Sequence, residues 1–333
     1  MLDMKSESRN MDTVFIHSSF RTGSTWLWSK FRENENTYCY YEVFNEVIED
    51  LDQRTIQLSS AAWNSHHPPG PPYFTEFTPL LKDCGISGFD RDMAINDFFL
   101  QAGDNLDRIT KTSNYLMSLV NLARRMDRIP VLSCTRSIGR VNTIRKIIGG
   151  SHILLKRSLF NQWSSYLDQS NNGNHFFLQE MVSIISLHFN IAPPFISALY
   201  LDPEIDFNNL SDYQCDNLLI AFLCFHMYLY IKHWNDFDLV LDFSNKQSFS
   251  SINREAIKIQ KLTSLSIDIS DYKEATSTTK KIVFNFERVR SIVSFLFSGG
   301  LPGISKNRLN SFIKKELVKF ETDLNLYLNL NNI

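Results

Sequence analysis

Short apolar runs alternate with helical periodicity along most of this chain. Val14-Phe15-Ile16 is the first such run, and 12–18 reads as a strand ending in a small-residue turn. The turn opens into an apolar-periodic segment, so 24–34 reads as a helix. Thr37 to Tyr41, rich in Tyr and Thr, reads as a second short strand. It runs into Glu42-Val43-Phe44-Asn45-Glu46-Val47-Ile48, which reads as a helix start. Helical periodicity returns from Tyr115 to Met126, with Leu116, Leu119, Val120 and Ala123 on one face. Pro130 to Thr135 has a buried-strand pattern, followed by a basic helix from Arg140 to Ile148 that Gly149-Gly150 closes. His152 to Lys156 reads as a strand and Leu159 to Asp168 as the helix after it. Helices are predicted over 176–189 and 212–233, a last strand over 238–243, and a helix over 254–265. The tail from Asn325 to Ile333 reads as a helix end or a frayed terminus.

This alternation predicts an α/β fold with a central, mostly parallel sheet covered on both faces by helices. Ligands on such sheets sit at the carboxyl ends of the strands. Arg21, Arg136 and Arg157 each follow a predicted strand, so the pattern gathers them at one edge. The 333 residues read as one domain, with 1–11 as a polar extension and 170–235 as a candidate helical subdomain. His66-His67-Pro68-Pro69-Gly70-Pro71-Pro72 is a rigid loop, read as a connection rather than a substrate mouth.

Composition narrows the partners. Hydrophobic residues make up 43% of the chain and Phe alone fills 26 positions, which is ample for a core. A formal net charge of −2 argues against nucleic acid or an anionic membrane as the main partner. Any positive field is therefore local, at a site. Cys39, Cys84, Cys134, Cys215 and Cys224 are widely spaced, which suits small buried hydrophobes in a reducing compartment. Residues 1–11 lack the apolar stretch of a signal peptide. The longest apolar run, Leu218 to Ile231, reads as a buried helix too short to span a membrane. The expectation is a soluble, cytoplasmic protein of open oligomeric state.

The turn after the first strand carries the chemistry. In Arg21-Thr22-Gly23-Ser24-Thr25-Trp26, a glycine and three hydroxyl residues lie where a helix N-terminus points its free N–H groups. Arg21 adds a planar, permanently charged donor fork at the entry. A Walker A loop needs a second Gly followed by Lys, and neither is present. The segment resembles instead the 5′-phosphosulfate loop of sulfotransferases: Lys or Arg, a small residue, Gly, two Ser or Thr, often then Trp. A second motif agrees. Arg157 follows the strand at 152–156, Ser165 lies eight residues later, and Tyr166 comes next. Sulfotransferases hold the 3′-phosphate of their donor with an Arg and a Ser at that spacing. Arg supplies bidentate, charge-assisted hydrogen bonds and Ser a hydroxyl. The two motifs come in the family's order.

The resemblance implies a P-loop-like, three-layer sulfotransferase fold. It implies 3′-phosphoadenosine 5′-phosphosulfate as co-substrate, with no metal required. By that resemblance Arg21 stabilises the transferring group and the leaving oxygen. Thr22, Gly23, Ser24 and Thr25 bind the 5′-phosphate, and Arg157 and Ser165 bind the 3′-phosphate. Trp26 stacks on adenine or else belongs to the core. Many cytosolic members use a His as base near the middle strand, but here that region reads Cys134-Thr135-Arg136. Another branch uses a Glu, in the protein-tyrosine members twenty-one residues beyond the loop Arg; Glu42 has that spacing. A carboxylate in a cleft could act as general base. Glu46, one helical turn on, is the alternative. Arg136 and Arg140 either contact an anionic acceptor or phosphate, or pair with nearby acids. The late basic-glycine loop of cytosolic members has only an imperfect counterpart in 298–308, where the order differs. The acceptor is expected to be a carbohydrate, a glycolipid or a small metabolite, met by loops in 55–110 and 170–210. A nucleotide kinase and a non-catalytic nucleotide-binding relative are the alternative readings.

Overall fold

The computed structural model describes residues 12–59, 71–101, 103–188, 205–244, 249–273 and 284–331. The histidine pair and following residues of the 66–72 loop up to Gly70 lie outside them, as does 189–204. Five strands form one sheet: β1 (Val14–Ser18), β2 (Thr37–Tyr40), β3 (Ile129–Cys134), β4 (Ser151–Lys156) and β5 (Leu239–Asp242). Their order is β2-β3-β1-β4-β5, and every neighbouring pair is parallel. The sheet is thus wholly parallel rather than mostly so. All residues of β1, β2 and β4 are buried, which is why these strands read as near-continuous apolar runs.

The chain leaves β1 towards β2 on one side and later crosses from β3 to β4 on the other. The carboxyl end of β1 is therefore the point where the winding reverses, the position at which parallel sheets open a crevice. Gly150, at φ +79°, sets the start of β4 against β1. A Cβ there would lie 2.1 Å from the Thr13 carbonyl oxygen, so only glycine fits.

Ten α-helices are present among the described residues. In chain order α1 is Ser24–Arg32, α2 Gln53–Leu58, α3 Leu106–Arg125, α4 Val141–Ile148 and α5 Leu159–Asn171. They continue with α6 (Phe176–Leu187), α7 (Asp212–His233), α8 (Phe249–Thr263), α9 (Phe286–Ser298) and α10 (Lys306–Asn331). The sheet alternation sorts them. Ile153, Leu155 and Leu241 share a core with Leu27 and Phe31 of α1 and Ile259 of α8. Leu154, pointing the other way, joins a second core built from α5, α6, α7, α9 and α10. The helices expected as a subdomain over 170–235 thus share their core with one face of the sheet and with the two C-terminal helices.

Several boundaries differ from the expectations, each for a local reason. Glu42–Ile48 does not begin an α-helix: Glu42 has φ +46°, which no helix accepts. Asn45 then caps a short 3-10 turn over Glu46–Asp50 by accepting from the Val47 N–H. Arg140 closes a 3-10 turn, Ile138–Arg140, before α4 begins. Helix α3 starts well before Tyr115 because Asn105 caps it. The tail belongs to α10, and 298–308 is the tight connection from α9 into α10, with a bridge between Leu301 and Ile304. Helix α7 is longer than the Leu218–Ile231 run. Asp212–Asp236 is long and apolar enough to cross a membrane, and 78% of its apolar window is buried inside the protein.

Candidate functional site

The loop from Ser19 to Gly23 joins β1 to α1. Arg21 (φ 62°) and Gly23 (φ 92°) both adopt the left-handed region, folding the backbone into a concavity that is costly for a non-glycine residue. The Thr22 hydroxyl donates to the Ser19 carbonyl at 2.8 Å and holds that shape. Gly23 is the N-cap of α1 and its carbonyl accepts from the Leu27 N–H at 3.1 Å. The N–H groups of Ser24, Thr25 and Trp26 thus open the helix without an intrahelical acceptor. Gly23 itself is exposed, and a Cβ there would meet nothing within 4 Å. The loop offers donors and a helix dipole to an anion.

The two sequence motifs converge here. Arg21 Nε donates to Ser165 Oγ at 2.9 Å across 144 residues. Arg157 Nη1 donates to the Arg21 carbonyl at 3.1 Å. Both arginines follow strand ends, of β1 and β4, which are register neighbours. Burial, and next the Arg157 charge, lower the Arg21 pKa: two guanidinium groups share one partly desolvated corner. The Phe177 ring lies 5.1 Å from the Arg21 guanidinium carbon. An anion between the two cations would relieve their mutual repulsion.

Thr25 and Trp26 look outward from α1. Thr25 Oγ1 is 2.8 Å from the Tyr41 hydroxyl, tying the loop helix to the end of β2. Trp26 stands edge-on to Phe243 and Tyr272, 5.5 and 5.1 Å between centroids, and its indole N–H reaches Asp271 at 3.3 Å. It is half-buried against the core, so both expectations for it, core packing and a face for a flat ring, remain compatible with its position.

Glu42 and Glu46 meet at one cation. Thr135 donates to Glu42 Oε2 twice, from its N–H at 3.1 Å and its hydroxyl at 2.8 Å. Arg136 lies 3.7 Å from the same oxygen, 3.0 Å from Glu46 and 2.5 Å from Glu180. Burial raises the Glu42 pKa, and Arg136 and the Thr135 bonds pull it partly back. Burial disfavours the Arg136 charge, but Glu180, Glu46 and Glu42 together outweigh it and raise its pKa. Phe20 covers the guanidinium at 5.0 Å.

Arg136 and Arg140 are each 0% exposed and bonded to protein groups. Of the two alternatives for them, pairing with nearby acids is what Arg136 shows. Arg136 is the shared cation of three carboxylates. Arg140 lies 3.8 Å over the Phe44 ring and donates to the Arg136 and Ala94 carbonyls. Burial pushes it down to about 10.

Sequence reasoning missed three contributors. Glu180 is the one acid in the apolar helix α6, a signal that was readable in Phe176–Leu187. Thr135 carries no spacing signal, and Phe177 looks like any core aromatic. Among the described residues no group of three or more His, Cys, Asp and Glu could hold a metal. No family model matches this chain, and neither a curated protein nor a solved structure matches it.

Proposed function

We propose that this protein is a sulfotransferase. It moves a sulfuryl group from 3′-phosphoadenosine 5′-phosphosulfate to a hydroxyl or amine of a carbohydrate, glycolipid or small metabolite. The observation that carries the reading is the pairing of Arg21 with Ser165, closed by Arg157 on the Arg21 carbonyl. Two phosphate-binding motifs, far apart in sequence, meet at the reversal point of a parallel sheet. The donor set is wholly cationic or hydrogen-bond donating, which fits an anion with two phosphate groups.

In this reading the N–H groups at the start of α1 and the Ser24 and Thr25 hydroxyls hold the 5′-phosphate. Arg157 and Ser165 hold the 3′-phosphate. The donor supplies the activated sulfuryl group. Arg21 stabilises the negative charge that gathers on the leaving oxygen as the S–O bond breaks, so catalysis is mostly positioning and charge stabilisation. Glu42 takes the acceptor's proton. Trp26, with Phe243 and Tyr272 behind it, offers an aromatic face to adenine.

Calorimetric titration with 3′-phosphoadenosine 5′-phosphate and with ATP tests it. The bisphosphate binds at least about thirtyfold more tightly than ATP, and Arg157→Ala loses about that factor, some 2 kcal/mol. Equal affinities for the two nucleotides overturn the reading and favour a nucleotide kinase. Bisphosphate binding with no turnover of the sulfated donor favours a non-catalytic relative.

A further inference from the structure

We infer that Thr135 and the Arg136–Glu180 pair are positioning residues that hold Glu42 by one oxygen, leaving the other to take the acceptor's proton. The inference deepens the proposed function and rests on it.

Among the described residues, every hydrogen bond to this carboxylate falls on the same atom. The Thr135 N–H and hydroxyl both donate to Oε2, and the Arg136 guanidinium faces the same oxygen as an ion pair at 3.7 Å. Oε1 is buried and makes no hydrogen bond to the described residues. A buried carboxylate oxygen left without a donor costs free energy. It is a cost that a bound acceptor hydroxyl removes by donating to it. The backbone at Glu42 is also held in the left-handed region, φ +46°, which a glutamate adopts only where the surroundings impose it. The rotamer and the backbone are therefore both fixed, and the free oxygen has one orientation.

Arg136 has a second duty. Its Nε and Nη2 both donate to Glu180 Oε1, at 2.9 and 2.5 Å, so Glu180 carries the guanidinium's strong contact and Glu42 only its weaker one. Glu180 thereby draws the positive charge away from Glu42 and keeps the base from becoming too weak. Glu180 and Phe177 are three residues apart on α6, on one face. One turn of α6 thus touches both Arg136 and Arg21. Of the three carboxylates on Arg136, Glu46 has the most exposed side chain, 27% against 5% and 8%. It marks the side from which solvent reaches the cluster.

In the step itself the acceptor O–H oxygen bonds to sulfur, and its proton passes to Glu42 Oε1. The bond from sulfur to the 5′-phosphate oxygen breaks, and the electron pair leaves with 3′-phosphoadenosine 5′-phosphate. Glu42 then returns the proton to water.

The experiment uses water as acceptor and follows release of 3′-phosphoadenosine 5′-phosphate from the sulfated donor against pH. In parallel, carbon NMR titrates the Glu42 carboxyl, assigned by its loss in Glu42→Gln. Thr135→Val removes a bond to the ionised form, so the acid limb moves up by about one unit, and Thr135→Ser restores it. Glu180→Gln frees the Arg136 charge for Glu42, so the limb moves down. The Glu42 titration moves in the same two directions, while affinity for 3′-phosphoadenosine 5′-phosphate shows that each variant is folded. Unmoved limbs, or limbs that move the same way in both variants, overturn the inference; so does an unchanged profile in Glu42→Gln with a lost limb in Glu46→Gln. A wild-type protein that never consumes the donor overturns the proposed function and the role of base with it. The NMR shifts alone then decide whether Thr135 and Glu180 tune Glu42.

Discussion

Arg140 holds a charge where water does not reach. Its guanidinium lies over Phe44 and satisfies two backbone carbonyls, those of Arg136 and Ala94. It therefore fixes the turn that presents Arg136 and Thr135 to Glu42. Arg140→Ala opens a cavity and strips two buried acceptors of their donor, a loss of about 2–4 kcal/mol in urea unfolding. Affinity for 3′-phosphoadenosine 5′-phosphate stays within about threefold in the folded variant, which a phosphate-contacting arginine would not allow. Arg21 and Glu42 are the residue-scale counterparts in the site: two of the four non-glycine residues with positive φ among the described residues, and both just past strand ends. Such strain at paired positions is the local sign of a site that propensity alone does not explain.

At the scale of elements, α7 is the clearest case of buried ionisable groups inside an apolar helix. His226 donates from Nδ1 to the Phe222 carbonyl and accepts at Nε2 from Gln162, which also donates to the Phe20 carbonyl of the loop. Burial lowers its pKa to about 4 from 6.5. The unfolded chain therefore binds a proton that the folded chain refuses, and stability falls as pH drops from 6.5 towards 4. His226→Phe keeps an aromatic ring among Phe222, Phe225 and Tyr230 and removes the titration. Relative to wild type the variant gains up to about 1.4 kcal/mol per pH unit across that window, read by denaturant midpoints at each pH. Glu42, Glu76, Glu180 and Asp97, all raised by burial, pull the other way in both proteins, so the difference isolates the histidine.

Elements also show what the sequence could reveal. All five strands were legible, because a parallel strand covered on both faces is a short apolar run and little else. That Arg21, Arg157 and Ser165 come together was legible because each lies in the turn or helix that follows one of two neighbouring parallel strands. Helices α9 and α10 were not, since their apolar positions are interleaved with Lys, Arg and Glu that face solvent or one another. Glu180 stood out as the one acid in an apolar helix, but its partner was not legible, because Arg136 lies 44 residues away and only the fold brings them together. The helix expected at Glu42 failed at a single backbone angle, which no hydropathy pattern records.

For the whole molecule, α10 closes the structure from below the site. Lys156, the residue before Arg157, is buried against Tyr230 and paired with Glu316 at 2.5 Å. Ser158, which caps α5, donates to Asp323, and Asp242 at the end of β5 meets Lys319 at 3.3 Å. Glu316→Leu strands a buried ammonium and costs about 3–5 kcal/mol. Adding Lys156→Met removes that charge too and returns most of the loss, a coupling that a double-mutant cycle in urea measures directly. A cycle with independent effects would mean that α10 contributes only apolar packing here.

The same pair has a consequence for how the protein is made. A ribosome delivers β1, the loop, all five strands and the segments carrying Arg21, Arg157 and Ser165 while Glu316 is still unsynthesised, 160 residues beyond Lys156. Until then the strand that carries Arg157 holds an uncompensated ammonium at a position meant to be dry. Burying that face before the last long helix docks would strand the ammonium, so the corner where Arg21, Arg157 and Ser165 meet reaches its final packing late.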